Sequence, residues 1–483
     1  MGYFKIMSLK QKVMSGLYWT SLGKIIGQMI TWGFTIYVIR LLEPSDYGLM
    51  ALALVMVGFL TMLNELGIGA AIIQRKEIPE DTLEALFGLL ILISILFYLL
   101  LFMMAPMISN YYSEPRLTML IKVLSLQFLF MGFTVLPRSL LWREMAFKKL
   151  AWVEFFSAIA GSIVTLFLAL RGYGVWSLVW GTLAIRVVSL VGLYIAKPFF
   201  HRPRFLIKGM GDFFSFGGYV TLSNVLWYFY ITADVLIIGK LLGKDILGIY
   251  SVGLYLATLP MEKVSLLINQ VAFPAFSTIS SDLNIAGRHF LKAVRVLSCI
   301  AFPVLFGISS IAPELVNIFL GPKWSGAYLP VLIIAFSVPI RMIVNIINPT
   351  VFGLGYPEIS FRNSLFGFVI MPIAFGIGTI WGLFGASMAW VIAFPIVFFD
   401  NMYRFLKILE INLIDVLQAM FKPFLSALIM VGFLQLLRLS HICGYSDILN
   451  LLVFILCGTG IYGGMMWRIN RNGLKEITDL FRK

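Results

Sequence analysis

The sequence predicts an all-α, polytopic membrane protein. Three observations carry this. Of the 483 residues, 60% are hydrophobic and 12% charged, about half the charged fraction usual for soluble chains. Mean hydropathy is +0.94. Apolar runs recur along the whole chain, each about 20 residues and long enough to cross a hydrocarbon core of about 30 Å. A β-barrel would show short alternating segments instead.

The first run, 16–40, follows Lys5, Lys10 and Lys12 and contains Lys24. At about 25 residues it reads as a spanning helix and not as a cleaved signal peptide. The stretch IRLLEPSDYGLM turns the chain outside the membrane into 48–73, after which Arg75 and Lys76 follow. Runs 83–105 and 117–137 come next, then a basic segment with Arg138, Arg143, Lys148 and Lys149. Runs 151–171 and 174–196 meet at Gly172. The basic, aromatic stretch KPFFHRPRFLIKGMGDFF suits an amphipathic linker on a membrane surface. Runs 216–240, 247–274, 291–312, 327–351, 359–380, 383–403, 421–439 and 448–467 complete fourteen expected spans. The expected domains are an N-lobe of six helices (1–196), the basic linker (197–215), a C-lobe of six helices (216–403), and two last helices with a basic tail (404–483).

Charge sets the orientation. With the N-terminus inside, 25 of the 37 Lys and Arg residues fall in cytoplasmic segments and 7 in outer ones, as the positive-inside rule requires. Both termini are therefore expected in the cytoplasm and the chain in the cytoplasmic membrane. The same rule accounts for the net charge of +14 without a nucleic-acid partner. Cys299, Cys443 and Cys457 lie in or beside apolar runs without motif spacing, so neither a disulfide framework nor a metal site is expected.

The chain also repeats itself. IGKLLGKDILGIY echoes IRLLEPSDYGLM at an offset of 200, and Ala312–Asn317 echoes Ala105–Asn110 at 207. Gly382, Ser387 and Trp390 echo Gly172, Ser177 and Trp180 at 210. Each echo falls at the equivalent helix. Six is even, so the two lobes are expected to enter the membrane in the same sense, as parallel repeats, one of the arrangements used by alternating-access transporters.

SLKQKVMSGLYWTSLGKIIGQMITW, RLLEPSDYGLMALA, NELGIGAAIIQRKE and GYGVWSLVWG resemble Wzx-type polysaccharide flippases. These translocate lipid-linked oligosaccharides and belong to the multidrug/oligosaccharidyl-lipid/polysaccharide exporter superfamily. The resemblance spans nearly the whole chain. It implies two lobes around a central cavity, alternating access and a polyprenyl-diphosphate-linked oligosaccharide as substrate. Membrane lipids and polysaccharide polymerase or export machinery are the expected partners, and no cofactor is expected. The matching motifs are turns and packing elements and name no sugar.

Ionisable groups within spans mark functional sites by default. Helical spacing places Thr20, Lys24, Gln28, Thr31 and Thr35 on one face of the first helix. Tyr219, Ser223, Trp227, Tyr230 and Asp234 share a face of the seventh, beside Asn224. The eighth carries Thr258, Glu262, Ser265 and Asn269, with Lys263 adjacent, and the tenth Ser337, Arg341, Asn345 and Asn348. The candidate cavity residues are Lys24, Gln28, Asn224, Trp227, Tyr230, Lys263, Asn269, Arg341 and Asn345. Arg grips phosphate bidentately and Lys acts as a point charge, while Trp227 and Tyr230 offer apolar faces to sugar rings. Asp234 and Glu262 are candidates for coupling transport to H⁺ or Na⁺. The structural alternative pairs Lys263 with Glu262 or Asp234 and has Arg341 capping carbonyls.

A second function class is an ion-coupled multidrug or small-molecule exporter of the same superfamily. The cationic candidates disfavour organic cations as its substrates. A membrane enzyme is a third. Its catalytic groups belong at an outer face, where the loops are short and His441 is the one histidine expected. HExxH and Gly-rich phosphate loops are absent from the sequence. A transporter and not an enzyme is expected.

Overall fold

The computed structural model describes residues 27–65, 79–205, 218–279, 282–440 and 446–471, together with Ile72, Gly473 and Glu476. Among these residues all regular structure is helical, as lipid demands of a backbone that must satisfy its own polar groups. The first described helix, α1, covers 27–41. It is followed by α2 (Pro44–Glu65), α3 (Glu80–Tyr112), α4 (Pro115–Arg143), α5 (Phe147–Leu170) and α6 (Val175–Ala196). Beyond the linker come α7 (Gly218–Leu241), α8 (Gly243–Thr278), α9 (Leu283–Ser310), α10 (Ala312–Phe319), α11 (Tyr328–Val344), α12 (Ile347–Leu354) and α13 (Pro357–Gly378). The chain continues through α14 (Gly382–Ile392), α15 (Phe394–Leu409), α16 (Leu413–Leu439) and α17 (Asp447–Ile469). Eleven described segments are long and apolar enough to cross a membrane. The protein is an all-α, multi-pass membrane protein. Lys24 and most of the basic linker lie outside the described residues.

Helix ends follow local chemistry. Pro115 opens α4 and Pro357 opens α13, where a missing N–H costs nothing. The Asp282 carboxylate accepts from the Ile285 N–H at 3.0 Å and caps α9, satisfying one orphan donor of the first turn.

Two runs expected as single helices are broken. The run 327–351 divides at Asn345–Ile346 into α11 and α12, and 383–403 divides at Ala393 into α14 and α15. Each break lies four residues or fewer before a proline, Pro349 in the first case and Pro395 in the second. Neither proline can donate to the carbonyl four residues earlier, and its ring crowds that carbonyl.

Contacts divide the chain between Thr221 and Leu222 into two compact units. In the first, α3 packs on α4, and α5 on α6. In the second, α9 packs on α16 and α11, and α8 on α11 and α12. The most enclosed apolar stretch is in Pro322–Leu354, 72% buried; in Asp447–Ile469 the share is 11%, so that last helix turns its apolar flank to lipid. It is held at two points along its length. Tyr462 donates to the Cys299 carbonyl at 2.8 Å. Arg438, at the end of α16, grips both Glu314 oxygens at 2.8 and 2.7 Å and lies 5.2 Å from the Phe454 ring of α17.

Gly174 and Gly382 open α6 and α14 with nearly the same dihedrals, φ 53 and ψ −134 against φ 63 and ψ −143. Only glycine adopts that conformation freely. The backbone thus sets Gly382 against Gly174, where residue type alone sets it against Gly172. Trp180 and Trp390 differ in environment, 46% exposed against 1%. In each unit a helical hairpin closes on glycine, Gly161 against Gly181 and Gly378 against Gly385, the close approach small residues permit between membrane helices. A Cβ on Gly385 would stand 2.1 Å from the Gly378 carbonyl oxygen. Gly385→Ala is expected to cost about 1–3 kcal/mol through overpacking, lowering the melting temperature in detergent. Gly432→Ala, with open space around it, should melt at or above the wild-type temperature. Equal melting of the two variants would refute the close approach.

Candidate functional site

Within the second unit, α7, α8, α11, α12, α13, α14 and α15 line a cavity of about 460 Å³. Trp227, Tyr230, Glu262, Ser265, Arg341 and Asn345 are in its wall. A smaller cavity of about 340 Å³, lined by Ser223, Asn224 and Ser360, shares Trp227, Asn348 and Ser364 with it. Five of the expected cavity and coupling residues therefore line one space, and Asn224 lines its neighbour. The polar stripe on α11 produces this convergence. It ends where the Pro349 break leaves Asn345 at the helix terminus, its Nδ2 donating to Ser265 Oγ of α8 at 3.1 Å. Asn348 Oδ1 in turn accepts from Ser360 Oγ of α13 at 3.1 Å.

Arg341 is the centre of the site. It is only 9% exposed, and its guanidinium lies over the Trp390 ring with 3.7 Å to the centroid. The cation is held by the negative face of the indole. Trp390 Nε1 donates to the Tyr250 hydroxyl at 2.8 Å, and that hydroxyl donates to Asp234 Oδ2 at 2.8 Å. The other Asp234 oxygen accepts from the Val235 N–H at 2.7 Å. Asp234 is fully buried. An aromatic relay thus separates cation from carboxylate, and among the described residues Arg341 makes neither a direct ion pair nor a carbonyl cap. This spacing has a chemical consequence. Asp234 offsets part of the desolvation of Arg341 without occupying its fork. Arg341 Nη1 is buried without a hydrogen-bond partner among the described residues, a vacancy that costs about 1–3 kcal/mol or more for a charged group.

Two further side chains of the cavity wall share this condition among the described residues. Asn363, 5% exposed, has neither its Nδ2 nor its Oδ1 hydrogen-bonded, and Asn401 Oδ1 is likewise unpaired. Both line the cavity. The wall therefore presents a cationic donor, an amide donor and amide acceptors, with Trp227 exposed beside them. Such a surface suits a ligand that is anionic at one place and rich in hydroxyl or amide groups at another.

The remaining expected residues stand elsewhere. Lys263 is exposed and does not line the cavity, while its neighbour Glu262 does. Gln28 is half-buried on α1, in the first unit. Lys24 and the side chain of Asn269 lie outside what the structure describes. Sequence reasoning missed Asn363, Asn401 and the role of Trp390. A signal for Asn363 exists, because Ser360, Asn363, Ser364 and Gly367 form a small and polar stripe along α13. Asn401 was masked by its neighbour Asp400, which draws attention as a charge but pairs with Arg404 at 2.9 Å.

A family profile described as "Polysaccharide biosynthesis protein" matches residues 37–329. The chain is 29% identical to the "Uncharacterized membrane protein in cps region" of Klebsiella pneumoniae, over 99% of each chain. It is 27% identical to "Lipopolysaccharide biosynthesis protein WzxC" of Escherichia coli (strain K12), over 80% of this chain and 79% of that one. Among solved structures it is similar to "Lipid II flippase MurJ, inward closed conformation". The TM-score is 0.74 at 15% identity, covering 94% of this chain and 99% of that one. At such identity the likeness speaks for the fold.

Proposed function

The chain belongs to the polysaccharide biosynthesis protein family, and from that premise we propose that it flips a polyprenyl-diphosphate-linked oligosaccharide across the cytoplasmic membrane. It is a transporter, and the reading needs no catalytic group. One observation carries the substrate's chemistry: among the described residues the buried Arg341 Nη1 has no hydrogen-bond partner, in a wall where the Asn363 amide and Asn401 Oδ1 have none either. A diphosphate answers the guanidinium, and sugar hydroxyls answer the amides. The broken helices α11–α12 and α14–α15 carry Arg341 and Asn401, as discontinuous helices carry binding groups in secondary transporters, and α13 adds Asn363. Transport proceeds by alternating access of the two lobes. Asp234 and Glu262 are its candidate ion-coupling groups, and polysaccharide polymerisation or export machinery is its partner.

The direct test is reconstitution. Vesicles containing the purified chain are loaded with a labelled polyprenyl-diphosphate oligosaccharide, and an impermeant glycosidase reports the fraction left inside. Translocation should exceed that of protein-free vesicles, and Asn363→Ala should slow it about tenfold, the effect of one lost buried hydrogen bond. Rates equal to protein-free vesicles, with efflux of an organic cation in their place, would favour the exporter reading and sink this one.

Orientation is tested separately. With Cys299, Cys443 and Cys457 replaced by Ser, cysteines at Ser113 and Lys244 should react with an impermeant thiol reagent applied outside cells. One at Ala146 should not, since positive-inside loops place it in the cytoplasm. Outside labelling at Ala146 would reverse the proposed topology.

A further inference from the structure

A second polar cavity, of about 920 Å³, lies among α9, α16 and α17. Four cations line it, Arg295, Lys422, Arg468 and Arg471, and Asp415 is the acid in the wall. They come from three helices whose basic ends are those expected at the cytoplasmic face. Arg295 is engaged by Glu476 of the C-terminal segment. Arg471 lies 4.3 Å from the Trp467 ring centroid and donates through Nε to the Trp467 carbonyl at 3.1 Å, and its Nη groups have no hydrogen-bond partner among the described residues. Lys422 and Arg468 have no side-chain partner among the described residues. Helix polarity accounts for Arg468 and Arg471 at the end of α17. It does not account for Lys422 in the third turn of α16, nor for the hollow into which all of them face.

We infer that this cavity binds the phosphate of an anionic phospholipid headgroup. A phosphodiester supplies the acceptor oxygens that Lys422, Arg468 and Arg471 lack. The rim separates a lipid from a free anion. Ile414 and Phe421 of the lining are 64% and 58% exposed, and Trp467, against which Arg471 rests, is 62% exposed. These apolar and interfacial side chains favour acyl chains and the headgroup boundary and offer nothing to aqueous phosphate. Basic pockets between membrane helices recognise headgroups of the cytoplasmic leaflet in this way, and that leaflet is the anionic one. The site is separate from the Arg341 cavity, so it stands whether or not the transport reading does.

The test uses the full chain purified in detergent, with bound lipid counted by native mass spectrometry. The probes are phosphatidylglycerol, phosphatidylcholine, a polyprenyl phosphate and inorganic phosphate. Phosphatidylglycerol should bind in preference to the other three. Lys422→Gln with Arg468→Gln should weaken it about thirtyfold, the usual increment for two basic residues at an anionic surface. The single variants should each cost about fivefold. Lys422→Arg should bind as wild type, and Lys148→Gln, a charge removed elsewhere, should have no effect. Melting in detergent checks that each variant is folded, and the single variants at exposed positions stand in if the double does not fold. Undiminished binding in the folded charge-removed variants overturns the proposal. So does equal binding of phosphatidylcholine, equal protection by inorganic phosphate, or preference for the polyprenyl phosphate.

Discussion

Arg341→Ala is expected to cut glycan export roughly ten- to hundredfold in cells that hold the protein at wild-type abundance. A cation deep in a membrane helix costs roughly 2.5–3.5 kcal/mol to insert, so an idle one is not retained cheaply. Here its charge rests on the Trp390 ring and faces Asp234 only through the Tyr250 relay. Its Nη1 donor has no partner among the described residues. Losing a charged hydrogen bond of about 1.5–3 kcal/mol corresponds to roughly ten- to hundredfold slower translocation. Arg341→Lys should recover only part of this, because it restores charge without the planar fork. Stability must be separated from transport, since Arg341→Ala leaves Asp234 buried with its balancing charge gone. Adding Asp234→Asn to Arg341→Ala should restore the melting temperature but not export. The readouts are surface glycan, the intermediate accumulated on the inner leaflet, and melting in detergent. Normal export by Arg341→Ala would end the cationic-cavity mechanism. Export restored in the double variant would reduce Arg341 to a structural partner of Asp234.

Trp390→Ala should be the most damaging change to the fold at the site. Trp390 is 1% exposed, packs edge-on to Phe375 at 5.3 Å between centroids, and supports both Arg341 and Tyr250. Emptying so large a buried volume costs about 3–5 kcal/mol, and the cation loses its aromatic floor as well. Trp390→Phe isolates the polar contribution. It keeps a ring beneath the guanidinium and removes the donor to Tyr250, for which about 1 kcal/mol is expected. Melting temperature and export should therefore fall steeply in the alanine variant and mildly in the phenylalanine one. If both variants lose export equally at equal abundance, the indole N–H matters more than the aromatic surface, and the floor assigned to Arg341 is wrong.

Much of the architecture was legible because lipid enforces a local rule. A segment that crosses hydrocarbon must be apolar for about 20 residues and must satisfy its own backbone. The run 174–196 became Val175–Ala196, and 448–467 became Asp447–Ile469. The breaks after Val344 and Ile392 were also written locally, in Pro349 and Pro395. Apolar periodicity hid them because the runs remain hydrophobic through the break.

For the site, the sequence by itself determined which helices carry a polar face. Ser337, Arg341 and Asn345 fall on one stripe of α11, and Trp227 and Tyr230 on one of α7, because side chains three and four apart share a helical surface. What a stripe faces is a long-range matter, and only the tertiary structure decided it. Packing set Trp390 of α14 beneath Arg341 and put Tyr250 of α8 between Trp390 and Asp234. It brought Asn363 and Asn401 to the same wall and left Lys263 outside it. Neighbouring positions on one helix differ by about 100° in direction. Glu262 and Lys263 therefore look alike in sequence, and the helices around them determine which one reaches the cavity.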